Sequence, residues 1–397
     1  MKVTIVSNFD LESGRGPVFR LINILPILNK NIDLRIISLQ EPDVTCEKML
    51  NDYRINYSVI RYASCGWSIV DCEKLSDQII SILKDNQSDL CVLGWELWDL
   101  AIELYEKIKS INCVFAVVFH SIPFVDALPF PKNYEKDIET RIQNESNKMI
   151  KNYLSTKAGN ARDYIHKLNI ISINETISYY LNTYFQKLNY FKAYPGYALN
   201  TKLIDSIDQP DKIYDYAFMS KLETSKGIFD LIEIASEIKK INKNSKIRII
   251  GDFLYPHEKE AVLEKISLLK LEDNISFAGW LSDEDKYKEL KKAHVFLYPS
   301  LTGDTFSFCM LEALACGLGA VSYDTPFSRI IYSKAPVERV FYRDVQAFAS
   351  VANKMLLSNH DKILKEATCF VSDNYSDWTK VALAEIDVYH EIFCKKT

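Results

Sequence analysis

Eight short apolar runs punctuate this chain, and longer amphipathic stretches separate them. The runs are KVTIVS (2–7), DLCVLG (89–94), CVFAVVF (113–119), NIISI (169–173), DYAFM (215–219), KIRII (246–250), HVFLY (294–298) and GAVSY (319–323). Each is mostly apolar on both faces, as suits a strand covered from two sides in a parallel sheet. Helical patterns such as DLIEIASEIKKI (230–241) and DEDKYKELKKA (283–293) lie between them. Alternation of this kind builds α/β units with right-handed crossovers. The pattern restarts near DYAFM, after the turn-rich stretch YPGYALNTKLIDSIDQPDK (194–212). At 397 residues the chain is too long for one ordinary core. Two doubly wound, Rossmann-like α/β domains are therefore expected, over residues 1–195 and 196–375.

Composition narrows the function classes. Apolar residues make up 48% and charged residues 25%, the balance of a folded globular protein. The net charge of −5 supplies no overall field that would attract nucleic acid. No run approaches the roughly 18 apolar residues of a membrane helix. The opening MKVTIVSNFD reads as a strand starting at once rather than a signal peptide. The nine cysteines form no CxxC pair, and several sit inside apolar runs, as small hydrophobes do in a reducing cytoplasm. The six histidines are scattered, so no zinc site is expected. Residues 131–170 are polar, with eight Lys/Arg against five Asp/Glu, a mild excess that reads first as a solvated face and second as a lipid-facing one.

In open parallel sheets, ligands bind beyond the carboxyl ends of the strands. Four polar groups follow apolar runs directly. Gly14, Gly16 and Pro17 follow the first run; they form either a phosphate-binding helix start or a plain strand-to-helix turn. The segment does not spell GxGxxG, which gives no support to a nicotinamide cofactor. His120 follows CVFAVVF, placed either to meet a substrate hydroxyl or to cap local backbone. Lys221 and Lys226 follow DYAFM and are either a diphosphate clamp or a surface pair. Asp304 and Glu312 flank a Phe-Ser-Phe step after HVFLYPS, with seven residues between them. Ser307 is expected to cap a helix through Met310, Glu312 and Ala315, ended by Gly317. Facing pairs on one helix are three or four residues apart. The wider spacing suits one acid on the loop and one on the helix, both able to accept hydrogen bonds from hydroxyls. Asp283-Glu284-Asp285 spells the DxD of metal-dependent sugar transferases. It follows Ser282 at a helix start, where acids complement the helix dipole, and is read as that.

The third and fourth groups together resemble the family 4 retaining glycosyltransferases, which have the two-Rossmann GT-B architecture. That family places a glycine-arginine pair ahead of a lysine and glycine, where this chain has Ser220-Lys221 and then Lys226-Gly227. Its two glutamates with seven residues between them match Asp304 and Glu312 in PSLTGDTFSFCMLEALACGLGAVSYD. ISFAGWLSDEDKYKELKKAHVFLYPS (275–300) is similar to the segment before that motif, and YPGYALN (194–200) to the interdomain connection. YSDWTKVALAEIDVYHEIF (375–393) is similar to the terminal helix that returns to the first domain. Three residues depart from the pattern. Asp304 stands for a glutamate, Lys221 for an arginine, which loses the bidentate fork, and Ser307 for a glycine.

The resemblance implies two domains facing a central cleft. An acceptor-side domain would span 1–195 with a returning helix at 376–397, and a nucleotide-sugar domain 196–375. It implies transfer of a sugar, with retention, from a nucleoside diphosphate sugar to a hydroxyl of a carbohydrate or lipid-linked acceptor. Envelope polysaccharide or glycolipid assembly is the implied setting, in the cytoplasm, with the first domain as the place for any peripheral contact at the inner face of the membrane. His120, Asp304, Lys221 and Lys226 take the catalytic roles. Gly16, Trp280, Thr305, Phe306, Ser307 and Glu312 join the two lysines in binding the donor. Glu312 holds the ribose and Asp304 the transferred sugar, and the lysines neutralise the diphosphate, so no cofactor and no metal are expected. Two other readings share the scaffold: a nucleotide-sugar 2-epimerase, and a non-catalytic partner that binds sugar nucleotides.

Overall fold

The computed structural model describes residues 1–9, 16–61, 64–65, 68–69, 71–94, 98–120, 165–184, 187–301 and 304–395. These fall into two compact units. The first takes residues up to 120, 165–198 and 377–395, and the second takes 199–376.

Among the described residues, the main sheet of the first unit has seven strands, all parallel. Their spatial order is Asn56–Val59, Asp33–Ser38, Lys2–Ser7, Leu90–Leu93, Val114–Phe119, Asn169–Ser172 and Tyr190–Lys192. The chain winds outward one way from Lys2–Ser7, then crosses back and winds the other way from Leu90–Leu93. Leu90–Leu93 and Val114–Phe119 are buried at every residue, which is why they read as unbroken apolar runs. Helix Gly16–Asn31 turns Val18, Leu21, Ile24, Leu25 and Leu28 inward at helical spacing.

Helix Trp378–Cys394 packs on Gly16–Asn31 within this unit. The contact is built around Arg20, fully buried, which pairs with the equally buried Glu385 and donates from Nε to the Gly196 carbonyl at 2.7 Å. Tyr389 OH donates to the same carboxylate. Phe19 and Trp378 meet edge to face at the rim, with ring centroids 5.9 Å apart.

Six parallel strands form the sheet of the second unit, among the described residues. Their order is Ile275–Gly279, Ile247–Ile250, Tyr214–Met219, Ala293–Tyr298, Gly319–Tyr323 and Val337–Val340. The winding reverses between Tyr214–Met219 and Ala293–Tyr298. Doubly wound sheets open a ligand crevice at such a point, outside the carboxyl ends of the two strands. Both units are thus α/β with the winding expected from the runs, and all eight runs form strands. Five further strands of the two sheets, Asp33–Ser38, Asn56–Val59, Tyr190–Lys192, Ile275–Gly279 and Val337–Val340, are outside those runs.

Candidate functional site

The reversal point of the second sheet is where the candidate residues gather. After Tyr214–Met219 the chain forms a tight loop, 220–227, held from three sides. Ser220 donates its backbone N–H to Ile250 O at 3.1 Å, and Leu301 donates to Ser225 O at 3.0 Å. Glu258, from helix Pro256–Leu268, accepts Thr224 Oγ1 at 2.5 Å and Thr224 N at 3.2 Å. Gly227 has φ +80°, and a Cβ there would lie 1.8 Å from Pro299 O. The loop therefore lies directly against the segment that follows the neighbouring strand, as only glycine allows.

That approach brings Lys226 to Asp304. Lys226 Nζ lies 2.8 Å from Asp304 Oδ1, and the side chains are 25% and 13% exposed. Tyr298 OH and Ser300 Oγ donate to Oδ2 at 2.9 and 2.8 Å. Burial pulls Lys226 toward losing its proton, but the Asp304 carboxylate outweighs it and the ammonium ends above its usual range. Burial, with Asp304 beside it, pushes the Tyr298 phenol well up, so it stays a donor. The result is an acid held by at least three donors, one of them a cation.

Ser307 caps the next helix, Phe308–Ala315, accepting Met310 N at 3.2 Å. Gly317, with φ +84°, follows its end, so the cap and stop lie where the sequence puts them. The helix carries Glu312, 8% exposed, with Lys286 Nζ 2.8 Å from its Oε1 and Tyr287 OH donating to the same atom at 3.1 Å. Asp304 is on the loop and Glu312 on the helix, as the wide spacing requires. Cys309, between them, is pushed up to about 12 by burial and by Glu312 and stays a thiol.

The other expected residues lie partly beside this pair and partly beyond it. Thr305 and Ser307 are buried, and Ser307 O accepts Tyr332 OH at 2.6 Å. Phe306 joins an aromatic cluster with Phe308, Tyr332 and Tyr375. Lys221 is exposed on the loop. Trp280 is 62% exposed after the edge strand Ile275–Gly279, two strands from the reversal point. In the first unit, His120 is buried after Val114–Phe119 and Gly16 opens its helix. Gly14 and most of 131–170 lie outside the described residues. Sequence reasoning missed Lys286, Tyr287, Tyr298, Ser300 and Glu258.

The acids of the DxD look-alike behave as a helix start. Lys288 pairs with Glu284 at 2.6 Å and Asp285 at 3.6 Å, although Ser282 makes no side-chain cap bond. Among the described residues, no group of three His, Cys, Asp or Glu side chains is placed to hold a metal ion. No described helix is long and apolar enough to cross a membrane.

Comparison with known proteins matches this unit by family model and the whole chain by fold. Residues 200–368 match the family model described as glycosyl transferases group 1. No curated protein matched by sequence. Among solved structures, a glycosyltransferase from Rickettsia africae superposes with a TM-score of 0.71 at 16% identity, covering 98% of each chain. HepE from Anabaena, solved with UDP, gives 0.70 at 13% identity over 98% of this chain and 100% of its own. Sucrose-phosphate synthase from Thermosynechococcus elongatus gives 0.70 at 14% identity over the whole of both chains. The chain has the two-domain GT-B fold of these proteins, and the segment that matches the glycosyl transferases group 1 carries Lys226, Asp304 and Glu312.

Proposed function

We propose that this protein is a retaining glycosyltransferase that moves a hexose from a nucleoside diphosphate sugar to a hydroxyl of a carbohydrate or lipid-linked acceptor. One observation carries the reading. The loops after the two strands at the reversal point bring Lys226 to Asp304 at 2.8 Å, inside the segment that matches the family.

Glu312 accepts hydrogen bonds from the ribose hydroxyls of the donor. Asp304, fixed by Tyr298 and Ser300, accepts from hydroxyls of the sugar being transferred. Lys226 exchanges part of its contact with Asp304 for the diphosphate, and Lys221 joins it from the exposed loop. Two ammonium groups stabilise the charge that grows on the departing phosphate, which makes metal-independent catalysis the expected chemistry. The bond from the anomeric carbon to the phosphate oxygen breaks as the bond to the acceptor oxygen forms on the same face. The acceptor's proton passes to the leaving phosphate. A cytoplasmic enzyme of envelope polysaccharide or glycolipid assembly fits this chemistry.

The relative HepE was solved with UDP and with UDP-glucose, so UDP-sugars are the first donors to test. The protein is incubated with UDP-glucose, UDP-galactose, UDP-N-acetylglucosamine, GDP-mannose and ADP-glucose. A bound donor raises the melting temperature, because only the folded state binds it. One donor should both stabilise the protein and release its nucleoside diphosphate, slowly with water and faster with an acceptor. A donor that is rearranged but not cleaved identifies an epimerase instead. A donor that binds and stays intact identifies a binding protein.

A further inference from the structure

The hydrogen bonds on Glu312 are distributed unequally. Lys286 Nζ and Tyr287 OH both reach Oε1, at 2.8 and 3.1 Å. Oε2 receives no hydrogen bond among the described residues, and the side chain as a whole keeps 10% of its surface exposed. A carboxylate oxygen offers about two lone-pair directions, so Oε1 is filled and Oε2 is the atom left for a ligand. Lys286 also sits over the Tyr287 ring, 5.0 Å from its centroid, which holds the ammonium and the phenol as one unit.

Lys286 is set apart from its surroundings. Helix Asp283–Lys291 is strongly polar, and its neighbour Lys288 makes only the i,i+3 and i,i+4 pairs of an exposed helix face. Lys286 reaches across to helix Phe308–Ala315, with a side chain 20% exposed. An acid that reads hydroxyls in a diphosphate site carries a built-in conflict, because its charge repels the phosphates. Asp304 has Lys226 to offset that charge, and Glu312 has Lys286.

We propose that Lys286, assisted by Tyr287, is a positioning residue that turns Glu312 into a single-oxygen reader of a ribose diol. The pair fills Oε1, presents Oε2, and neutralises the acid beside the diphosphate. The ligand class that follows is a ribonucleoside diphosphate, discriminated from its deoxy counterpart. This inference rests on the glycosyltransferase reading, in which Glu312 holds the donor ribose.

The test is calorimetric titration of the intact protein with UDP, GDP, ADP and CDP, and with the 2′,3′-dideoxy form of whichever binds best. Wild type should prefer the ribose form about tenfold, the worth of one good hydrogen bond. Lys286→Met should weaken the ribose form about tenfold and the dideoxy form much less, so that the preference shrinks toward one. Lys286→Arg should restore most of it, and Tyr287→Phe should lower it by a few fold. If Lys286→Met does not fold, the arginine and phenylalanine variants carry the same comparison. Equal losses on the two forms, or a wild type with no ribose preference, would overturn the inference and leave the transferase reading standing. A wild type that binds none of the four diphosphates would overturn both.

Discussion

Asp304→Asn separates the two acids of the site most sharply. The substitution keeps an acceptor for Tyr298 and Ser300 but removes the charge that Lys226 faces at 2.8 Å. An exposed ion pair contributes about 0–1 kcal/mol, while breaking a buried one costs about 3–5 kcal/mol. With side chains 13% and 25% exposed, this pair lies between those limits, and a loss of about 1–3 kcal/mol follows. For a unit of this size that is roughly 2–12 °C in melting temperature. The ammonium no longer shares its charge with Asp304 and can turn it to a phosphate, so free UDP should bind as well as before or up to about tenfold tighter. Turnover of the sugar donor should fall, because the transferred sugar has lost its charged acceptor. Glu312→Gln should do the opposite to free UDP. It trades a charge-assisted bond of about 1.5–3 kcal/mol for a neutral one of about 0.5–1.5, weakening the nucleotide roughly tenfold. Differential scanning fluorimetry gives the first quantity and calorimetric titration the second. The division of labour fails if Asp304→Asn weakens free UDP as much as Glu312→Gln does. An unchanged melting temperature would mean that the ion pair contributes nothing.

Three further outcomes are expected. Gly227→Ala places a methyl group 1.8 Å from Pro299 O at a backbone φ of +80°, so the loop must move; donor binding should be lost and thermal stability lowered, both read in one melting experiment with and without UDP. Turnover should survive EDTA, and loss of activity restored by magnesium or manganese would show that a metal, rather than Lys221 and Lys226, neutralises the diphosphate. Burial lowers Lys212 to about 8, so below that pH the folded state bears the full cost of a buried ammonium; stability should climb from about pH 8 toward the unfolded value near 10.4, and Lys212→Met should flatten that climb in urea titrations.

The readable parts of the sequence were those where one physical rule dominates. Strands buried on both faces, such as Val114–Phe119, announce themselves as apolar runs. Asn56–Val59 and Val337–Val340 lie at sheet edges and mix polar with apolar residues, and that pattern has no unique meaning. Ser307 as a cap, Gly317 as a stop and the loop-and-helix placement of the two acids were legible from local rules. The lysine partners were not. Lys226 reads in the sequence beside Lys221, and its contact with Asp304, 78 residues later, is not visible there. Lys286 sat unnoticed in DEDKYKEL, because a run of charges reads as a solvated face. Which of its lysines turns inward depends on the helix beside it, and that is a tertiary fact.

The pairing of Arg20 with Glu385 sets an order of events during synthesis. Helix Gly16–Asn31 emerges early, but the carboxylate that neutralises its buried guanidinium comes 365 residues later. At roughly 5–20 residues per second, that is a wait of about 20–70 s on the ribosome. The described part of the second unit, which lies within 199–376, is complete in the meantime. The half of the protein begun first is therefore the half finished last, and its opening helix must stay soluble, its arginine still hydrated, until the returning helix arrives.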